Sequence, residues 1–298
     1  MSLGIKIAMD TECTDIEKTN DGRFIVKTPD YNYASDRVIV ATGLVAGVDI
    51  KGENFCDKDA LAIKLAKKLG HKINVIVPAL TALKCKNSYL SKVSGVRWEA
   101  RVSTYIDDIK VYEDKGELQF TDYGISGFVV FQNARFASLG LKNRQNIQVE
   151  IDMLPDILAE DCNNMLNNQF KKFENMSVYD VMTGIFNNKL VNYILANAEI
   201  NGSIKARDFK SIDKLVRSIK EHRMPVIGTR GFEFAQVCAG GIDTRENKST
   251  MESKKVSGLY FVGEALDVDG MCGGYNLHFA FATGLEAGKN AGKVDNCD

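Results

Sequence analysis

The 298-residue chain carries 38 Lys and Arg residues against 39 Asp and Glu residues, so its formal net charge is −1. This balance argues against nucleic-acid-binding proteins and polybasic membrane adaptors, which show a clear basic excess. No apolar run reaches the roughly 18 residues that a membrane span needs, and the N-terminus shows no secretory signal. We therefore expect a cytoplasmic protein with neither a nucleic-acid nor a membrane partner.

The first part of the chain predicts short strands. Residues 5–9 and 12–16 alternate apolar and polar side chains. A turn at 20–22 joins the second run to another alternating run at 23–28, which is typical of a β-hairpin. The apolar, β-branched run at 37–43 ends in glycine and predicts a strand buried on both faces, as in a parallel sheet.

A helix is predicted over residues 57–69. Asp57 can cap its start, three leucines share one stripe, and Gly70 follows its end. Residues 75–83 predict a strand. From 85 to 151 the pattern is again that of short strands separated by turns.

Between 155 and 222 the apolar period becomes helical. Pro155 suits the first position of a helix, and Ser177 with Asp180 resembles a capping box. A strand follows at 234–238 and ends at a glycine pair.

The C-terminal part predicts a strand at 258–263, a loop at 266–270 and a helix that opens at a glycine pair and runs to about 292. A helix N-terminus offers unpaired N–H groups and partial positive charge, which suit an anion or a carbonyl oxygen. An acidic residue just after the strand can accept a sugar-type hydroxyl. From residue types alone, a ligand site and a tight turn with glycines for geometry are equally good interpretations. Glycines at every fourth position of the helix predict close packing on a sheet: Gly284, Gly288 and Gly292.

Seven cysteines without a C-x-x-C pair, together with three histidines, argue against a zinc site and favour free thiols in a reducing compartment. His71 follows a predicted helix C-terminus, where partial positive charge is favourable, so we interpret it as structural. His222 is interpreted in the same way. Cys272 and His278 are weaker candidates for a redox or substrate role than for loop filling and helix-surface packing.

Three C-terminal segments carry a family resemblance: TMESK at 250–254, GLYFVGEALDVDG at 258–270 and GGYNLHFAFATG at 273–284. Segments at 65–71, 77–80, 118–127 and 235–241 match as well. The chain closely resembles the aminoacetone-oxidase-like NAD(P)/FAD-dependent oxidoreductases, a flavoprotein family with an inserted domain. The resemblance covers nearly the whole chain.

The resemblance implies FAD as a cofactor and places residues around it. Gly263 and Glu264 match the strand end that meets the ribityl chain, and Cys13 lies where backbone groups usually hold the adenine. In such a site the helix dipole would stabilise negative charge on reduced flavin. One further set matches the strand end that passes the pyrophosphate and ring: Ala41, Thr42 and Gly43. Another set matches the loop and helix start under the flavin ring: Asp269, Gly270, Gly273, Gly274, Tyr275, Asn276 and Leu277. NAD(P) is a further cofactor that the family allows.

The sequence also departs from the family pattern. A FAD domain of this superfamily begins with a strand, a G-x-G-x-x-G turn and a helix, and the 298 residues contain no G-x-G-x-x-G. The segment at 44–60 lacks the family's glycine-rich element. Asp122 and Phe128 replace a common His and a common Pro. Two alternatives stay open: the sequence is part of a longer flavoprotein, or it is a degenerate member that binds no FAD and has no activity.

The expected fold is therefore α/β: a partial Rossmann-like domain interrupted by a β-rich insert with a helical subdomain. We expect a discontinuous FAD-binding-like domain at 1–79 and 248–298, and an insert at 80–247. Within the insert we place β structure at 80–154, helices at 155–222 and a return strand at 232–241. The expected function is that of an FAD-dependent oxidoreductase acting on an unidentified small molecule. No catalytic residue is assigned.

Overall fold

The computed structural model describes residues 4–47 and 60–293. The chain forms two compact units, one from Met1–Ile76 with Val237–Asp298 and the other from Val77–Gln236. We call them unit 1 and unit 2. Their strands and helices confirm the mixed α/β class. The functional domain boundaries at 79/80 and 247/248 stay a prediction. Within the described ranges, no helix has both the length and the apolar character that crossing a membrane requires.

The strands, in chain order, are β1 (Asp15–Lys18), β2 (Phe24–Lys27), β3 (Asn32–Ser35), β4 (Val38–Val40), β5 (Ile73–Ala79), β6 (Leu83–Cys85), β7 (Arg97–Ile106), β8 (Ile109–Phe120), β9 (Gly124–Ser126), β10 (Ile147–Asp152), β11 (His222–Thr229), β12 (Val237–Ile242) and β13 (Leu259–Phe261). The helices are α1 (Leu61–Lys68), α2 (Leu90–Val93), α3 (Phe128–Lys142), α4 (Ala159–Lys172), α5 (Val178–Thr183), α6 (Asn188–Asn197), α7 (Ile212–Lys220) and α8 (Tyr275–Ala291).

Unit 1 begins with an antiparallel sheet in the order β1-β2-β3. Gly22 has φ +88° in the turn between β1 and β2, a conformation that favours glycine, so the predicted hairpin is confirmed. The strand predicted at 5–9 is wrong. Ile5, Ile7 and Met9 are 74–76% exposed, because no neighbouring strand covers this alternating run within the described residues.

The parallel character predicted for the run at 37–43 is confirmed, because β4 pairs in parallel with β13. Burial on both faces is wrong for β4. Ile39 at its centre is 38% exposed, and no further strand extends this pair within 4–47 and 60–293. The expected parallel sheet is thus limited to two strands in the part of the chain that the structure describes.

Helix α1 ends as its sequence predicts. Gly70 has φ +81° and donates its N–H to the Lys67 carbonyl, while the His71 N–H bonds to the Ala66 carbonyl. These bonds satisfy carbonyls that the helix end leaves without partners. The helix starts later than predicted, with Ala60 at its N-cap, and Asp57 lies outside the described residues.

Strand β5 pairs with β12 in a two-stranded sheet. The strand predicted at 234–238 is shifted, because residues Phe232–Phe234 form a short 3-10 turn and β12 begins only at Val237. The backbones come very close here. A Cβ added to Gly240 would lie 2.0 Å from the Val75 carbonyl oxygen.

Unit 2 is built around a closed six-stranded antiparallel barrel in the order β10-β11-β6-β9-β8-β7. Inward-facing side chains alternate along its strands and are fully buried. The barrel core includes Val102, Leu118, Phe120, Val149 and Ile151.

Helix α3 lies inside the block for which only strands were predicted, and that prediction is wrong. Its 15 residues present Val129, Val130 and Ala134 to the core and pack on β7 and β8. Gly127 precedes it at φ +101°, where a Cβ would lie 2.5 Å from the Glu117 carbonyl oxygen. An apolar run of this kind suits a buried helix or a buried strand, and long-range packing decides between them.

The four helices α4 to α7 confirm the helical stretch at 155–222. The Asp180 N–H donates to the Ser177 hydroxyl at 3.1 Å, which confirms that cap. Pro155 is not a first helical residue, because α4 begins at Ala159. The block ends with β11, a barrel strand that the helical pattern did not predict.

Candidate functional site

The site residues predicted at the C-terminus lie where β13 leads into α8. Gly263 follows the strand at φ +65° and donates its N–H to the Thr283 hydroxyl at 3.0 Å. The same hydroxyl donates to the Phe279 carbonyl. Thr283 therefore fixes the strand end against the helix. The sequence did not predict this role of Thr283, because it shows only a polar residue among apolar neighbours.

The loop before α8 is closed by a two-way amide bridge. Asn276 accepts the Gly270 N–H at 2.8 Å and donates to the Gly270 carbonyl at 3.0 Å. This pairing brings two predicted site residues together. It holds the helix start and the preceding loop in one arrangement.

The glycine pair at the start of α8 leaves the backbone accessible. Gly273 and Gly274 have φ +121° and +95°. A Cβ on Gly274 would meet no atom within 4 Å, and one on Gly273 would meet only the Tyr275 ring, at 3.8 Å. Gly274 at the N-cap has no side chain that could cap the helix, so the first N–H groups of α8 can face a bound group.

Glu264 connects three backbone segments of unit 1. Its Oε1 accepts the Cys238 N–H at 2.7 Å and its Oε2 accepts the Leu44 N–H at 3.4 Å. A Cβ on Gly43 would lie 3.7 Å from Oε2. Burial raises the pKa of the Glu264 carboxyl, and the two N–H groups oppose that shift by stabilising the charged form.

The structure thus brings Gly43 beside Glu264, and both beside the turn after β13. Leu44 and Cys238 were missed as site residues, since they contribute backbone N–H groups that every residue except proline has. The predicted residues Ala41 and Thr42, at the end of β4, are exposed.

Two further predicted residues are largely exposed. Tyr275 and Leu277 have side chains that are 60% and 67% exposed. Asp269 is half-buried in the loop before α8. The Cys13 thiol lies 3.7 Å from the Asp15 carbonyl oxygen. Its role towards adenine stays a prediction.

The glycine stripe of α8 does not pack as predicted. A Cβ on Gly284 or Gly288 would meet no atom within 4 Å, so close packing on a sheet is wrong for these positions. The buried face of the helix instead contains Thr283 and Ala287. An apolar stripe on α8 is 62–76% exposed, at Leu277, Phe281 and Leu285.

His71 is structural, as predicted, but not through positive charge. Its Nδ1 lies 3.2 Å from the Ala66 carbonyl oxygen and its Nε2 lies 2.8 Å from the Ser253 hydroxyl. The carbonyl can only accept, so Nδ1 carries the proton and Nε2 accepts from Ser253. Burial lowers the pKa of His71, which favours this neutral form.

A cleft of about 1050 Å³ in unit 1 lies at the amino ends of β4 and β13, away from the glycine pair. Its charged groups are already engaged. Arg37 donates to the Ala291 carbonyl at 2.8 Å, and Lys248 pairs with Glu252 at 2.7 Å. The predicted residues Ala41, Thr42, Gly43, Gly263 and Glu264 follow the carboxyl ends of these parallel strands.

No metal centre is formed by the described residues: no group of three or more His, Cys, Asp or Glu side chains is arranged to hold an ion. The described cysteines form no disulfide with one another: Cys13, Cys85, Cys162, Cys238 and Cys272.

Comparisons with known proteins cover nearly the whole chain. Residues 1–290 match the family model described as "HI0933-like protein Rossmann domain". The 3-dehydro-bile acid delta(4,6)-reductase of Clostridium scindens is 37% identical over 271 residues, which are 90% of this chain and 65% of that protein.

Two further relatives are ribosomal RNA dihydrouridine synthases. The Haemophilus influenzae protein is 28% identical over 289 residues, 94% of this chain and 67% of that protein. The Escherichia coli protein is 34% identical over 168 residues, 56% of this chain and 40% of that protein. The chain therefore spans about two thirds, or less, of the length of these relatives.

Proposed function

Since the chain belongs to the HI0933-like Rossmann family, we propose that it forms part of an FAD-dependent oxidoreductase acting on a small molecule. The observation that carries the proposal is the open glycine pair at the start of α8, in the same unit as the half-buried Glu264 carboxylate. Gly273 and Gly274 leave room for a flat group over the backbone.

The described residues fit a flavin in three respects. The N-terminus of α8 offers N–H groups and a partial positive charge to an electron-rich ring edge. Glu264 uses one lone pair of each oxygen for a backbone N–H, so lone pairs remain for a sugar-type hydroxyl. Gly43 keeps the space beside that carboxylate free of a side chain.

Bound FAD would supply two-electron chemistry, and the protein would supply position and electrostatics. Asn276 holds the loop before α8, and Thr283 holds the end of β13. We propose that these two residues keep the helix N–H groups aimed at one place. We propose that a wider set of residues lines the same cofactor: Cys13, Ala41, Thr42, Asp269, Tyr275 and Leu277. We further propose NAD(P) as the source of reducing equivalents.

We propose reduction as the direction of the reaction. The Clostridium relative is named a reductase, and the other two are named for making a dihydro product, so all three names describe the addition of hydrogen. The reductase shares 37% identity with this chain against 28% for the Haemophilus synthase. With a net charge of −1, a small molecule is the better proposal than RNA.

A second candidate is a member of the family that binds no FAD. It rests on one observation of the sequence, since the 298 residues contain no G-x-G-x-x-G, and the family match and the relatives do not favour it. Backbone N–H groups of such a turn hold the pyrophosphate, so their absence weakens dinucleotide binding.

Titration with FAD separates the two candidates. Under the first, the purified chain binds FAD saturably, with quenched flavin fluorescence. Gly274→Val, which places a side chain over the helix start, weakens that binding. Gly22→Val is the matched control, because Gly22 also has positive φ and an open Cβ direction but lies in the β1–β2 turn. A chain that takes up no FAD overturns the cofactor proposal and supports the second candidate.

A further inference from the structure

Arg230 in unit 2 lies over two aromatic rings. Its guanidinium carbon lies 3.5 Å from the centre of the Phe234 ring and 5.0 Å from the centre of the Tyr123 ring. Its Nη1 donates to the Tyr123 hydroxyl at 3.3 Å. A guanidinium that is stacked in this way loses little further freedom when it binds a ligand.

The start of β11, the strand that Arg230 directly follows, provides a comparison. Arg223 on β11 also stacks on a ring, with its guanidinium carbon 4.5 Å from the centre of Tyr105. Its Nε, however, lies 2.7 Å from a carboxylate oxygen of Glu150. Arg223 therefore contacts both an aromatic ring and a carboxylate, and that carboxylate belongs to the protein itself.

Arg230 contacts aromatic rings as Arg223 does, but it has no carboxylate partner among the described residues. Within residues 4–47 and 60–293, no Asp or Glu oxygen lies within 4 Å of its guanidinium nitrogens, and its Nε and Nη2 make no hydrogen bond. These two groups form one edge of the guanidinium, which matches the two oxygens of a carboxylate.

The surroundings favour a singly charged, partly apolar ligand. Phe234 is 49% exposed, so an apolar surface lies directly beside the guanidinium. Asp122 and Glu233 are exposed and adjacent in sequence to the two ring residues. Their negative charge disfavours a phosphate dianion more than a carboxylate.

We propose that Arg230, Tyr123 and Phe234 form a binding site for the carboxylate of an apolar small molecule. Arg230 binds the carboxylate side-on through Nε and Nη2, and the Phe234 ring contacts the adjoining apolar carbons. The site consists of unit 2 residues alone and needs no flavin, so it stands apart from the proposed function.

Calorimetric titration of the whole chain with 4-phenylbutyrate tests the site. We expect saturable binding that Arg230→Gln weakens about tenfold or more, because a charge-assisted bidentate contact is lost. Arg230→Lys, which keeps the charge but not the planar edge, is also expected to weaken it. Arg223→Gln is the matched control and leaves the affinity unchanged.

Two other ligands test whether the site recognises a carboxylate together with an apolar group. The neutral 4-phenylbutanol is expected to bind at least about tenfold more weakly than the acid. Equal binding of the alcohol, wild-type affinity in Arg230→Gln, or binding of inorganic phosphate without binding of the acid would each overturn the proposal.

A measurement on the wild-type chain tests the site even if the variants do not fold. Phenylglyoxal modifies exposed arginines, and mass spectrometry locates the products. We expect 4-phenylbutyrate to slow modification at Arg230 and not at Arg223. The same rate at Arg230 with and without the acid contradicts the site.

Discussion

The Glu264 carboxylate accepts the backbone N–H of Cys238 at 2.7 Å and so joins the turn after β13 to strand β12. Its second oxygen accepts the Leu44 N–H, just beyond β4. One side chain thus ties together three segments that are far apart in sequence. A charged acceptor serves two donors here, and such bonds are stronger than those between neutral groups.

Glu264→Gln is expected to destabilise unit 1. The amide offers one acceptor oxygen and one NH₂ group, so the NH₂ group faces a backbone N–H that needs an acceptor. The loss is about 1–3 kcal/mol of unfolding free energy, measured by urea denaturation. Glu286→Gln is the control, since Glu286 bonds Asn290 within α8. Equal stability of the two variants would contradict this role of Glu264.

Gly240→Ala is expected to disrupt the pairing of β5 with β12. The added Cβ would lie 2.0 Å from the Val75 carbonyl oxygen, at a φ of +92°. Because backbone atoms cannot move aside easily, we expect a loss of more than about 3 kcal/mol or no folded unit 1. Gly231→Ala has a similar φ of +84° and no atom within 4 Å, so it reports the backbone strain alone, about 1–2 kcal/mol. Similar losses, measured by circular dichroism melts, would show that the close approach is not decisive.

Ser253→Ala tests the contact between His71 and Ser253. The Ser253 hydroxyl donates to His71 Nε2 and accepts the N–H groups of Lys255 and Val256 at 3.0 and 2.9 Å. Its removal leaves the buried His71 Nε2 and two part-buried backbone N–H groups without this partner, at a cost of about 1–3 kcal/mol.

Ser257→Ala is the control for Ser253→Ala, because Ser257 is exposed and its hydroxyl makes only a 3.4 Å bond to Glu252. Nitrogen NMR of the wild type is expected to show a neutral His71 with its proton on Nδ1. A proton on Nε2 would refute the assigned direction of the bond.

The buried His222 predicts a dependence of unit 2 stability on pH. Burial lowers the pKa of His222 from 6.5 to about 4. Above pH 6.5 both the folded and the unfolded chain hold it neutral. Between 6.5 and 4 the unfolded chain takes up the proton and the folded chain does not, so stability falls as the pH falls. The difference of about 2.5 pKa units corresponds to roughly 3 kcal/mol.

Fluorescence of Trp98, the single tryptophan and part of unit 2, measures this change during urea unfolding at pH 7 and pH 4.5. His222→Gln is expected to lose most of the difference between the two pH values. Tyr193→Phe, which removes the hydroxyl 2.7 Å from His222 Nε2, keeps most of it, because desolvation causes the shift. A pH dependence that persists in His222→Gln would refute this origin.

Local sequence patterns determined the elements whose cause is local. The hairpin turn at Gly22, the end of α1 at Gly70, the Ser177 cap and the start of α8 after Gly274 follow from backbone preferences and short-range hydrogen bonds. The segments at 250–284 likewise indicated the family, and the match over residues 1–290 confirms it.

Only the tertiary structure decided the features that depend on long-range contacts. The apolar run of α3 became a helix because it packs across β7 and β8, and the glycines of α8 proved not to face a sheet. Arg230 and Tyr123 meet across 107 positions of sequence. Periodicity describes one segment at a time, whereas burial, pairing and charge partners depend on which distant segments share a surface.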